Sequence, residues 1–191
     1  MIQFLPIPRW DALHPLIIHF PIALLLVVPL LIVVGALRPP ERGRTILYVA
    51  LALMIAGTLG TFLAVASGEA AGRIAERTAQ IDAVLERHEE LAEATRITFS
   101  VLTVVFAAIL LVPRMLGRIS DRLVSTTLPL VFLLFYAVGV LLLTNTAHNG
   151  GRLVHEFGVK AAVKSSPLPV EETEANQFGT VAGESQVADR D

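Results

Sequence analysis

The stretch Ala12-Leu13-His14-Pro15-Leu16-Ile17-Ile18-His19-Phe20-Pro21-Ile22 opens the first of four long apolar runs and carries two histidines. An ionisable side chain in or beside hydrocarbon is costly, so a histidine placed there is a functional-site candidate by default. Leu16–Leu37 is apolar apart from His19 over about 22 residues, enough to cross roughly 30 Å of hydrocarbon as a helix. The run is longer than the apolar region of a secretory signal and lacks a basic start, so it reads as an uncleaved span. Trp10 lies just before it, where interfacial tryptophans sit. Asp11 is expected to cap the helix, and Pro15 falls in the first turn, where a missing N–H does no harm. Pro21, deeper in, has no N–H for the carbonyl of Ile17, so a neighbouring group has to satisfy that oxygen.

Composition agrees with a membrane protein. The chain has 191 residues, 54% of them hydrophobic and 17% charged, with a mean hydropathy of +0.67. Soluble domains carry about 25% charged residues. A net charge of −2 leaves no basic footprint for nucleic acid. With no cysteine, disulfides, thiolate metal centres, iron–sulfur clusters and covalently attached haem are all excluded. Histidine and carboxylate remain as the strong ligands. No esterase elbow, zinc-protease helix or nucleotide-binding loop is present.

Outward from the first span, Arg38–Arg44 reads as a tight polar loop and Ile46–Ala66 as a second span with many small residues, which let membrane helices approach closely. Ser67-Gly68 is expected to break that helix. Arg73–Ala94 is rich in Ala, Glu, Arg and Leu, with opposite charges at helical spacing (Arg73 and Glu76, Arg87 and Glu90), and predicts a surface helix carrying His88. It runs into, or nearly into, the third span, Ile97–Val112, which gains full length if it starts at Leu91. The acidic run Glu86–Glu93 reads as a solvated face. Pro113–Thr127 is a second arginine-bearing loop. Leu128–Thr146 is the fourth span, in which Asn145 is expected to bond a neighbouring helix. Asn149-Gly150-Gly151 is expected to stop it. Arg152–Val163 is a short amphipathic piece, and residues 164–191 read as a disordered acidic tail. No internal repeat is evident beyond the alternation of span and loop.

The fold class that follows is all-α: an integral membrane four-helix bundle, up-down-up-down, over residues 1–163, with a short extra helix between spans two and three. In this topology all five histidines, His14, His19, His88, His148 and His155, fall at the end of the bundle that holds the N-terminus. The opposite loops carry Arg38, Arg42, Arg44, Arg114, Arg118 and Arg122. The positive-inside rule makes those loops cytoplasmic, and both termini and the histidines then face the periplasm or cell exterior from the inner membrane. His19 lies five residues beyond His14, about 7 Å deeper and turned by roughly 140°, so a regular helix does not put the two rings on one face.

Leu13-His14-Pro15, His19-Phe20-Pro21, Ser67-Gly68, His88-Glu89 and His148-Asn149-Gly150-Gly151-Arg152-Leu153-Val154-His155-Glu156 together resemble the bacterial membrane family catalogued as Domain of Unknown Function 2231. The likeness spans roughly residues 10–160, with specific motifs at both ends and a loose middle. It implies a four-helix membrane domain with recurrent histidines matching His14, His19, His88 and His148. Members often have Tyr at the position of His155 and His at that of Phe157, which leaves His155 outside the shared set. Some members are joined to haem-containing domains, which implies redox work.

Three functions fit these residues. The first is haem b held between histidines on facing helices, His14 or His19 with His88 or His148, for electron transfer to or from a quinone or redox protein. Arg96 or Arg152 would pair with the propionates. The second is a copper, zinc or iron ion on His14, His19, His88 and His148, with Glu89 or Glu156 as a carboxylate partner. The third is a membrane anchor or partner subunit whose histidines form a structural network. His19, deepest in apolar sequence, ranks first among the five.

Overall fold

Helical packing in a membrane lacks the hydrophobic drive it has in water, so close approach and satisfied backbone groups decide it. The computed structural model describes residues 10–75, 78–117 and 123–159. A 3-10 turn at Trp10–Ala12 leads into α1 (His14–Leu37), followed by α2 (Pro40–Gly72), α3 (Ala79–Met115), a π-helical turn at Leu123–Thr127 and α4 (Leu128–His155). Among the described residues there is no strand, and all four helices are long and apolar enough to cross a membrane. The chain is a four-helix membrane bundle. Trp10 is exposed at the start of α1, as an interfacial residue should be.

Two hairpins, α1–α2 and α3–α4, make the closest pairs. Their contacts are glycine contacts. A side chain at Gly57 would meet Leu25, one at Gly60 would meet Pro21, and one at Gly139 would meet Leu102 and Phe99. The core between the hairpins holds Leu25, Val28, Ile32, Met54, Phe99 and Phe106, with Phe132 and Tyr136 from α4. Phe106 stacks on Phe132 at 4.9 Å, and Phe99 meets Tyr136 edge-on at 5.4 Å. Two threonine pairs join helices inside: Thr58 with Thr103 at 2.8 Å between α2 and α3, and Thr95 with Thr146 at 2.9 Å between α3 and α4.

Several sequence expectations are corrected here. No separate helix stands between the second and third spans among the described residues; α3 begins at Ala79, capped by Thr78 through Ile81 N–H, and runs unbroken to Met115. Nothing in Ala79–Val112 is a glycine or proline, so the surface portion and the span are one helix. Ser67-Gly68 does not break α2, which continues to Gly72, and Asn149-Gly150-Gly151 does not stop α4, which continues to His155. Leu13, not Asp11, stands at the cap of α1, with no side-chain cap bond, although Pro15 does lie in the first turn. Asn145 donates to Leu141 O within its own helix rather than across to a neighbour. Arg87 pairs with Glu90 at 3.1 Å as its spacing predicts, whereas Arg73 lies 4.0 Å from Glu69. Glu76, Arg118, Arg122 and the tail at 164–191 lie outside the described residues.

Candidate functional site

The start of α1, the last turns of α2, the surface portion of α3 and the last turns of α4 converge at one end of the bundle. They enclose a cavity of about 690 Å³, largely apolar, walled by Ile74, Ile81, Leu85, Leu153, Val154 and Val159. That volume lies within the roughly 300–1,000 Å³ of cofactor and small-molecule sites. Two of its lining residues are His14 and His88, both half-buried.

Each imidazole is anchored through Nδ1. His14 Nδ1 lies 3.0 Å from Ser67 Oγ. The Ser67 hydroxyl donates its one hydrogen to Ala64 O at 3.1 Å, so the ring nitrogen is the donor between them. His88 Nδ1 donates to Thr146 O at 2.9 Å, where a carbonyl leaves no other assignment. Both rings therefore carry their hydrogen on Nδ1 and keep a lone pair on Nε2. In that tautomer a histidine can bind a metal through Nε2 while its other nitrogen is anchored.

A glycine lies flat against each ring. A Cβ at Gly68 would sit 3.0 Å from His14 Cε1, and a Cβ at Gly150 would sit 3.0 Å from His88 Cε1. This is why the glycines stand in mid-helix at a cost of about 1 kcal/mol each relative to alanine: a methyl there would push the imidazole out of place. Their helices continue because backbone hydrogen bonds have no competitor in an apolar medium.

Of the four histidines named from sequence, the structure brings His14 and His88 together. His19 is exposed on α1, with Nδ1 donating to Pro15 O of its own helix. His148 is exposed on α4, as is His155. Among the described residues no group of three or more His, Asp or Glu side chains is placed to hold a metal ion. Arg96 and Arg152 lie off the cavity wall: Arg96 pairs with Glu93 and covers the Phe62 ring at 5.0 Å, and Arg152 pairs with Glu156 at 2.9 Å. Among the described residues the arginine on the cavity wall is Arg73, which the sequence reading passed over as a ligand-pairing residue. Glu89, Glu90 and Glu93 of the run read as a solvated face line the cavity too. The signal for Gly68, Gly150 and Arg73 was present in the sequence only as punctuation and charge, with nothing to point them at a histidine.

A family model described as "predicted membrane protein (DUF2231)" matches residues 10–163. No curated protein and no solved structure matches the chain.

Proposed function

Because the chain belongs to the DUF2231 family of predicted membrane proteins, we propose that its bundle holds one-electron redox chemistry at the histidine-bearing end, with haem b bound between His14 and His88. The observation that carries this reading is the pair of anchored imidazoles, one from α1 and one from α3, with both Nε2 lone pairs free on a shared apolar cavity. Two nitrogen donors are what a bis-histidine haem takes from a protein, whereas a bare zinc site takes three or four protein ligands.

Haem, when bound, supplies reversible one-electron transfer. The chain's own contributions follow from the site. Thr146 O and Ser67 Oγ fix the ring tautomers and raise the basicity of Nε2. Ile81, Leu85 and Leu153 form a buried apolar cluster on the cavity wall that would keep water from a bound haem. Arg73 is the cation on the wall for a propionate, its pairing with Glu69 being long and solvent-screened. With Arg38, Arg42, Arg44 and Arg114 on the other side, the proposed orientation puts this end outside the cytoplasmic membrane, where a quinone or a redox protein exchanges electrons with it.

The test is an absorption spectrum with metal analysis of the protein purified in mild detergent. Soret and α bands are expected, with iron as the associated metal. His14→Ala and His88→Ala should each abolish the six-coordinate spectrum, while His19→Ala and His148→Ala should leave it. A colourless, metal-free protein would remove the haem and leave the histidines as a structural network. A colourless protein with stoichiometric zinc or copper would favour the bare-ion reading.

A further inference from the structure

The two half-sites match in the glycine set against each ring. In α2 the Nδ1 of His14 meets Ser67 Oγ, whose hydroxyl donates to Ala64 O, and Gly68, four residues after Ala64, lies against the ring. In α4 the ring nitrogen of His88 meets Thr146 O, and Gly150, four residues on, lies under the ring. The three ring atoms nearest to each glycine are the same and come in the same order: Cε1, then Nδ1, then Nε2, at 3.0, 3.4 and 3.6 Å for His14 and 3.0, 3.4 and 3.7 Å for His88.

The correspondence runs the length of the bundle. At the constant offset that carries His14 onto His88, the buried residues Pro21, Leu25, Val28, Ile32 and Ala36 of α1 fall on Thr95, Phe99, Leu102, Phe106 and Leu110, all buried in α3. At the offset that carries Gly68 onto Gly150, five of the buried residues of α2, Leu47, Ala50, Met54, Gly57 and Thr61, fall on Pro129, Phe132, Tyr136, Gly139 and Leu143, all buried in α4, while Leu51, Thr58, Gly60 and Ser67 fall on half-buried positions. Contacts follow the same rule: Gly57 packs on Leu25, and Gly139 packs on Phe99. Helical periodicity alone can align two buried faces at some offset. It does not also carry histidine onto histidine, glycine onto glycine and a hairpin contact onto its counterpart.

We infer that the chain is two copies of one helical hairpin, and that the cavity between His14 and His88 takes a single ligand bound from both faces by equivalent imidazoles. Gly68 and Gly150 are equivalent positioning residues that set the two ring planes. In an up-down-up-down bundle α1 and α3 run in the same direction, so the repeats are parallel and their two-fold axis lies along the membrane normal. A ligand near that axis meets one imidazole from each hairpin. The inference rests on the haem reading and deepens it: one haem per chain, not one per pair among His14, His19, His88 and His148.

The experiment uses the full, haem-loaded chain. Haem is quantified against protein as the pyridine complex, and the ferric form is examined by electron paramagnetic resonance together with the midpoint potential. One haem per chain is expected. His14→Met and His88→Met keep a ligand in place, and each should replace the bis-histidine signature by a histidine–methionine one and raise the potential by a similar amount. Gly68→Ala and Gly150→Ala should each shift the low-spin g-values, and Gly151→Ala, which has nothing within 4 Å, should not. Two haems per chain, a signature that changes in only one of the methionine variants, or glycine variants indistinguishable from Gly151→Ala would overturn the equivalence while leaving haem binding intact. Wild-type protein without haem would overturn both readings at once, and no variant is needed to see it.

Discussion

Gly43→Ala is expected to destabilise the folded bundle by on the order of 3 kcal/mol, the upper end of what overpacking costs. Gly43 sits one turn into α2, where the chain has just turned back from α1. A Cβ built there would lie 2.2 Å from Gly35 O, with Arg38 O and Gly35 C at 3.3 Å. The obstacle is backbone on every side, so no side-chain rotation relieves it. Relief requires α2 to move away from α1 by roughly 1 Å, and in a close-packed interior such a shift loosens contacts well beyond the site. The tightest hairpin of the fold would open at its closed end, and Leu47, which packs over Gly35, would lose its seat. Gly151→Ala supplies the control. It also stands in a helix, yet has open space around it, so the substitution should be neutral or gain up to about 1 kcal/mol in helix propensity. Denaturation midpoints in mixed detergent for the two variants check the contrast. Equal midpoints would mean that the α1–α2 crossing is looser than its geometry shows.

The same glycines explain what was legible in the sequence and what was not. Spans, their number and their order followed from hydropathy, because four apolar runs separated by charge leave one up-and-down arrangement. The ends of α2 and α4 did not. Ser67-Gly68 and Asn149-Gly150-Gly151 carry the marks of helix termini in water, where an exposed backbone finds solvent. Here the helices continue past them, and Gly68 and Gly150 serve to admit an imidazole. Among the histidines, depth in apolar sequence favoured His19, but depth says nothing about which face a side chain occupies. The roughly 140° between His14 and His19 separates them, and it is His14 that faces the bundle. His88 sits among charged neighbours in the sequence. Three of them, Glu89, Glu90 and Glu93, line the same cavity. The repeat was invisible because, apart from the histidine and glycine pairs, the hairpins share positions rather than residue types: Leu25 corresponds to Phe99 and Met54 to Tyr136. Only burial and contact reveal it.

Tyr136 shows how this bundle meets the cost of a proline in hydrocarbon, and its replacement is the second substitution with a large expected effect. In a regular helix Leu25 O would accept from the N–H of residue 29, but residue 29 is proline and has none. No water reaches the position, since Leu25 is 0% exposed. Tyr136, 1% exposed and three helices on in sequence, donates its hydroxyl to that oxygen at 2.7 Å. Tyr136→Phe keeps the ring contacts with Phe99 and Phe132 and removes only this donor. An unsatisfied buried acceptor costs about 1–3 kcal/mol in a protein interior. Side-chain bonds between membrane helices average only about 0.6 kcal/mol, with a maximum near 1.7, because the separated helices find other partners. Leu25 O has no alternative within its own helix, so a loss of about 1.5 kcal/mol, near the top of the membrane range, is expected. A double-mutant cycle isolates the cause. Pro29→Ala restores an N–H four residues after Leu25, and in that background Tyr136→Phe should cost no more than the membrane average of about 0.6 kcal/mol. Equal costs in the two backgrounds would show that Tyr136 contributes through packing alone and that the carbonyl left by Pro29 is satisfied by another group.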